Sequence, residues 1–130
     1  MAATILVIDD NMVNLKLATE VLLSCGYRVL RAEDAEEALA LLDIHMPDLV
    51  LTDISLPGMD GLELTRLLKA DPRFRHLPVV ALTASAMKGD EARVLQAGCD
   101  AYIAKPLDTR KLSAQIARFL GDRVPGEGEA

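Results

Sequence analysis

Three things are scarce in this chain: cysteine, positive charge and long apolar runs. Its 130 residues hold two cysteines, Cys25 and Cys99. Neither has a second Cys or a His at metal-ligand spacing, and two thiols make no disulfide framework, so both are expected to be small buried or half-buried residues. No stretch approaches the ~20 apolar residues that a membrane-spanning helix needs. Strand-like residues begin at Thr4, where a leader would still carry its basic and apolar regions, which predicts a cytoplasmic protein. The net charge of −6 lacks the basic face that grips nucleic acid by counterion release.

What is present is a regular alternation. With 51% hydrophobic residues, the chain can bury one core without staples. Short runs rich in Val, Ile and Leu recur at Thr4 to Ile8, Tyr27 to Arg31, Leu49 to Thr52, Val79 to Leu82 and Ala101 to Ala104. The first, third and fourth are apolar on both faces, as strands buried between two helical layers must be. Helical periodicity fills the intervals at about 11–25, 34–43, 60–70, 86–97 and 108–120. Asp34 with Glu37, and Asp60 with Glu63, have the spacing of capping boxes, Asp108 is placed to cap the last helix, and Gly26 and Gly98 stand where helices terminate. Strict β-α alternation with short connections predicts a doubly wound, flavodoxin-like (βα)5 sheet of five parallel strands in the order 2-1-3-4-5. Residues 1–120 form that domain, and 121–130, rich in Gly and acid, are expected to be a flexible acidic tail.

That order brings Asp9 and Asp10, after the first strand, beside Asp53, which ends the third. Three carboxylates repel one another, and a hard divalent cation with oxygen ligands is the natural compensation. Mg2+ takes a couple of carboxylates and leaves room for a phosphoryl oxygen. Thr83 at the end of the fourth strand can offer a hydroxyl to a phosphoryl oxygen, and Lys105 at the end of the fifth supplies a cation. Lys105 precedes Pro106, an X-Pro bond where a cis peptide is cheap.

The segments Ile8-Asp9-Asp10, Leu51-Thr52-Asp53-Ile54-Ser55-Leu56-Pro57-Gly58-Met59-Asp60-Gly61, Leu82-Thr83-Ala84 and Ala104-Lys105-Pro106 together resemble, in order and spacing, the receiver domains of two-component signalling. The resemblance spans roughly residues 4–120. It implies that Asp53 accepts a phosphoryl group from a phosphohistidine. Asp10, Asp53 and the main-chain carbonyl of Ser55 would hold Mg2+, with Asp9 acting through water or at the edge. It further implies that Lys105 pairs with the phosphoryl group and that Thr83 and Tyr102 form a switch pair altering the surface of the fourth helix, fifth strand and fifth helix. Ser55 and Ser85 stand where the family varies, and neither can assist self-dephosphorylation strongly.

The family also implies its partners: a histidine kinase or histidine phosphotransfer protein as donor, and a downstream protein effector. Whether phosphorylation drives dimers stays open. In the first helix Leu17, Ala18, Val21 and Leu22 form a core stripe, while Met12 and Leu15 look surplus to it. Met12, Leu15 and Pro106 are therefore expected to contact the donor. Lys88, Arg93, Arg110, Lys111 and Arg118 make either a solvated surface or a docking one. His45 and His76 have no acidic or Cys partner within sequence reach and are not expected to be catalytic or ligand residues. The phrase Ala81-Leu82-Thr83-Ala84-Ser85-Ala86-Met87-Lys88-Gly89-Asp90-Glu91, with Asn11 and Asn14, is most similar to single-domain cell-division regulators and hybrid-kinase receivers. Met1 and the tapering tail favour a stand-alone regulator.

Three rival functions compete with this one. A phosphohydrolase with an aspartyl nucleophile needs a general acid where Ser55 stands. A flavin or nucleotide binder needs a Gly- or Ser-rich phosphate cradle where Asp9-Asp10-Asn11 places negative charge. A phosphorylation-independent scaffold would have no use for the filled acceptor, metal and switch positions.

Overall fold

The computed structural model describes residues 3–83, 90–105 and 108–120. Along the chain run β1 (Thr4–Ile8), α1 (Met12–Ser24), β2 (Arg28–Ala32), α2 (Ala35–Leu42), β3 (Leu49–Asp53), α3 (Gly61–Ala70), β4 (Val79–Thr83), α4 (Asp90–Gln96), β5 (Ala101–Ala104) and α5 (Thr109–Leu120). The strands are parallel, in the order β2-β1-β3-β4-β5, as the alternation of elements predicts. A parallel sheet needs both faces covered, and strand parity divides the core in two. Leu6, Ile8, Val50, Val79 and Ala81 pack under α2, α3 and α4. Ile5, Val7, Leu49, Leu51, Val80 and Leu82 pack under α1 and α5.

The punctuation read from the sequence is largely in place. Gly26 (φ 92°) and Gly98 (φ 106°) take the left-handed conformation that ends α1 and α4. Around each, two backbone bonds close the helix: Gly26 N–H to Leu23 O with Tyr27 N–H to Leu22 O, and Gly98 N–H to Leu95 O with Cys99 N–H to Val94 O. Tyr27 is thus spent on the turn, and β2 begins one residue later than the apolar run suggests, at Arg28, whose N–H reaches Ala3 O. The Asp60–Glu63 capping box is reciprocal. At α2 only half of one forms: Asp34 accepts from Glu37 N–H, while the Glu37 carboxylate takes Glu33 N–H instead. Asp108 accepts from Arg110 N–H before α5.

Two expectations are corrected. In α1 the buried stripe is Leu15, Ala18, Thr19 and Leu22, with Leu17 and Val21 only half-buried. The true face is rotated toward Leu15, and Thr19 can join it because its hydroxyl donates to Leu15 O at 2.6 Å. Cys25, the C-cap of α1, is exposed. Cys99 is buried as expected, against the Thr65 hydroxyl, and burial pushes its thiol pKa up.

Candidate functional site

Register decides what gathers at the carboxyl ends of the strands. Ile8 lies opposite Thr52, Asp53 opposite Leu82, and Thr83 opposite Ala104. Asp9 therefore emerges abreast of Asp53, and Lys105 one residue beyond the Thr83 pairing. The chain turns away after β1 on one side of the sheet and returns to β3 on the other, so no backbone fills the crevice between them. One ligand oxygen from each of Asp9, Asp10 and Asp53 falls in a cluster no more than 4.8 Å across. Asp9 (1% exposed) and Asp53 (6%) form its floor, and Asp10 its exposed rim. Asp9 thus lies deeper than an edge ligand.

Each buried carboxylate is held from two sides. Asp9 Oδ1 accepts Asn11 N–H at 2.9 Å, and Asn11 then caps α1 by accepting from Val13 N–H and Asn14 N–H. Asp53 Oδ1 accepts Ser55 N–H at 3.0 Å. Lys105 crosses from the far edge of the sheet to place Nζ 2.8 Å from Asp53 Oδ2 and 3.2 Å from Asp9 Oδ2. With strands about 4.8 Å apart, a long side chain is needed to reach past β4. Burial pulls the ammonium toward neutrality, but Asp53 and Asp9 outweigh it and hold the Lys105 pKa above the ordinary lysine value. Burial pushes the Asp9 carboxyl above the usual carboxylate range, against Asn11 N–H and Lys105, and the Asp53 charge adds to the rise.

The fit to a cation rests on Asp9 Oδ2, a buried oxygen with no hydrogen-bond partner among the described residues and only the Lys105 ion pair beside it. One cation shared between two buried carboxylates, with a third at the rim, leaves an excess of negative charge. The oxygen donors gathered among the described residues are carboxylates, which suits a hard ion such as Mg2+ and not a soft one.

Thr83 is buried (2% exposed). Parity puts it on the α4 side of the sheet together with Tyr102, which lies opposite Ala81, two residues back along β4, and packs half-buried against that core. Met12 is 57% exposed, beside the acidic crevice in sequence, while Leu15 is 3% exposed. Leu15 belongs to the core under α1 and lines a groove with Met12, Leu23 and Val29. Pro106, its peptide bond to Lys105, Ser85, Lys88 and the tail 121–130 lie outside the described residues. His45 and His76 are exposed and far from the crevice in sequence.

Two contributions to the site carry no clear sequence signal: the Lys105 contact to Asp9, which passes over β4 and β3, and the packing of Gly61 against the Asp53 carbonyl. The second was visible only as the glycine of a quoted motif.

A doubly wound sheet with a metal-competent acidic crevice and a lysine at its switch point defines a class, that of phosphate- and metal-handling α/β switches. Comparison fixes the family. The chain matches the response regulator receiver domain over residues 5–117, and it belongs to that family, whose members serve two-component systems as signalling switches and not as classical enzymes. It is 45% identical over 122 residues to the polar-differentiation response regulator DivK of Brucella anthropi, covering 94% of this chain and 99% of that one. Among solved structures, it resembles the receiver domain of a sensor histidine kinase from Pseudomonas aeruginosa with a magnesium ion coordinated in the active site cleft (TM-score 0.86, 36% identity, 94% of this chain and 100% of that one). It also resembles a CheY-like receiver domain protein from Methanospirillum hungatei (TM-score 0.85, 33% identity, both chains covered completely). No helix among the described residues is long and apolar enough to cross a membrane.

The Lys105 bridge gives a direct test. Replacing Lys105 with Met leaves two buried carboxylates without a counter-charge, which is expected to cost about 3 kcal/mol of stability. The loss should appear in urea unfolding in EDTA and shrink in millimolar Mg2+, and an equal loss in both buffers would count against shared compensation.

Proposed function

We propose that this chain is a phosphorylation-activated switch in which Asp53 accepts a phosphoryl group from a phosphohistidine and the signal passes by protein contacts. The observation that carries this reading is the Lys105 ammonium seated between Asp53 and Asp9, with Asp10 beside them. Asp10, Asp53 and the Ser55 carbonyl would hold Mg2+, with Asp9 as a further carboxylate at the floor. When bound, the ion neutralises charge on the carboxylates and on the phosphoryl oxygens.

The protein's own part is mostly positioning. Ser55 N–H and Lys105 fix the Asp53 carboxylate from opposite oxygens. One carboxylate oxygen attacks phosphorus in line. An O–P bond forms as the donor's P–N bond breaks, its electron pair returning to the imidazole, which takes up a proton from solvent. Lys105, already within ion-pair distance, then pairs with the new phosphoryl oxygens. Nothing at position 55 serves as a general acid or amide, so turnover of added phosphoesters is not expected. Incubation with acetyl phosphate tests the reading: one phosphoryl adduct in the intact mass, absent with EDTA and absent in Asp53→Asn. A folded, Mg2+-binding protein with no adduct would favour the scaffold function.

The switch would run through Thr83 and Tyr102, which share the α4 face of adjacent strands. Charge on Asp53 draws the Thr83 hydroxyl inward, and Tyr102 rotates into the space released. Thr83→Ala is expected still to take up the phosphoryl label yet lose most of the phosphorylation-dependent chemical-shift change on β5 and α5. Retention of that change would overturn the pairing.

Donor docking would use exposed Met12 at the rim, with the edge of Leu15 and Pro106 as further contacts, and the donor would be a histidine kinase or histidine phosphotransfer protein. Met12→Glu is expected to slow transfer from such a donor about tenfold, some 1.4 kcal/mol, while acetyl phosphate labelling is unchanged. Equal slowing of both would place Met12 in the chemistry instead.

A further inference from the structure

The start of α3 lies against the back of the acceptor. A Cβ at Gly61 would fall on the Asp53 carbonyl oxygen and press on Ile54 Cα. The backbone conformation at Gly61 is ordinary for any residue, since its φ is not positive. The demand for glycine is therefore purely one of space, made by main-chain atoms that cannot rotate away.

The same contact is locked from both sides. Gly61 N–H donates to Ile54 O at 3.1 Å, and Ile54 N–H donates to Leu82 O at 3.2 Å. The Thr52 hydroxyl donates to the Asp53 carbonyl at 3.0 Å, and the Thr65 hydroxyl donates to Gly61 O at 2.8 Å. The Asp60–Glu63 capping box fixes where the helix begins, while Leu62, Leu64 and Leu68 bury its inner face. The helix cannot recede without losing these, nor can β3 move without breaking its ladder.

From this we infer that Gly61 is a positioning residue for the phosphoryl acceptor: the bare first turn of α3 sets the Asp53 and Ile54 main chain, and through it the Ser55 amide and carbonyl. It touches neither phosphorus nor metal. Its effect is transmitted by two peptide units, the second of which donates to Asp53 Oδ1. The inference rests on the reading of Asp53 as acceptor and metal ligand.

Gly61→Ala tests it. Calorimetric titration with Mg2+ is expected to show affinity reduced about tenfold, the scale of disturbing groups that orient metal ligands. The Ser55 amide resonance should shift, and acetyl phosphate labelling should slow with it. Leu22→Ala is the control for mere destabilisation: it opens a cavity in the opposite core layer, near the far end of α1, and its Mg2+ affinity should stay at the wild-type value. If Gly61→Ala does not fold, Asp60→Ala carries the test, because loss of the cap lets the first turn recede and should weaken Mg2+ binding in the same direction. A wild-type protein that neither binds Mg2+ nor takes a phosphoryl group would overturn the acceptor reading itself. A wild type that does both, with Gly61→Ala, or Asp60→Ala in its place, matching it in affinity and rate, would overturn this inference alone.

Discussion

Two carboxylates buried beside one lysine are the constraint to which the rest of this structure answers. Like charges about 4 Å apart repel by roughly 4 kcal/mol at the effective dielectric of a protein surface, and Asp9 and Asp53 are both nearly out of water. Lys105 offsets part of that by pairing with both, and its own burial is tolerated only because they are there. The balance is deliberately incomplete, with Asp10 adding a third negative group at the rim. A site left short of positive charge is prepared to bind a cation, and with the cation an anion.

The fold serves that arrangement by geometry. Parallel strands place all their carboxyl ends on one edge, where the loops need no regular pairing and can carry polar groups. Hydrophobic parity makes the strands rigid, since slipping by one residue would turn Leu6, Ile8 and Val50 to the wrong layer. Asp9, Asp53, Thr83 and Lys105 inherit their positions from that register, one residue beyond or at the last paired position of each strand. Rigidity is thus supplied by the apolar layers and chemistry by the residues that the layers leave at the rim.

Much of this was legible in the chain. Runs apolar on both faces revealed buried parallel strands, and glycines at 26 and 98 marked helix ends by their tolerance of positive φ. The acidic pair, Asp53, Thr83 and Lys105 were readable because each directly follows or ends an apolar run. Legibility failed where several faces of a helix are apolar. In α1, Leu15, Leu17, Val21 and Leu22 offer more than one plausible stripe, and only packing against the strands beneath chose the one through Leu15 and Thr19. Cys25 went astray because a cysteine's apolar character says little at a helix cap, where exposure is set by the turn.

By itself, then, the sequence determined the order of elements, the sheet topology and the identity of the polar groups at the strand ends, since periodicity and punctuation are local properties of a chain. Only the tertiary structure decided how those groups divide the charge. That Lys105 reaches Asp9 as well as Asp53, that Asp9 lies at the floor and Asp10 at the rim, and that Gly61 bears on the Asp53 carbonyl depend on distances between strands and on packing through space. Neither leaves a periodic trace in sequence.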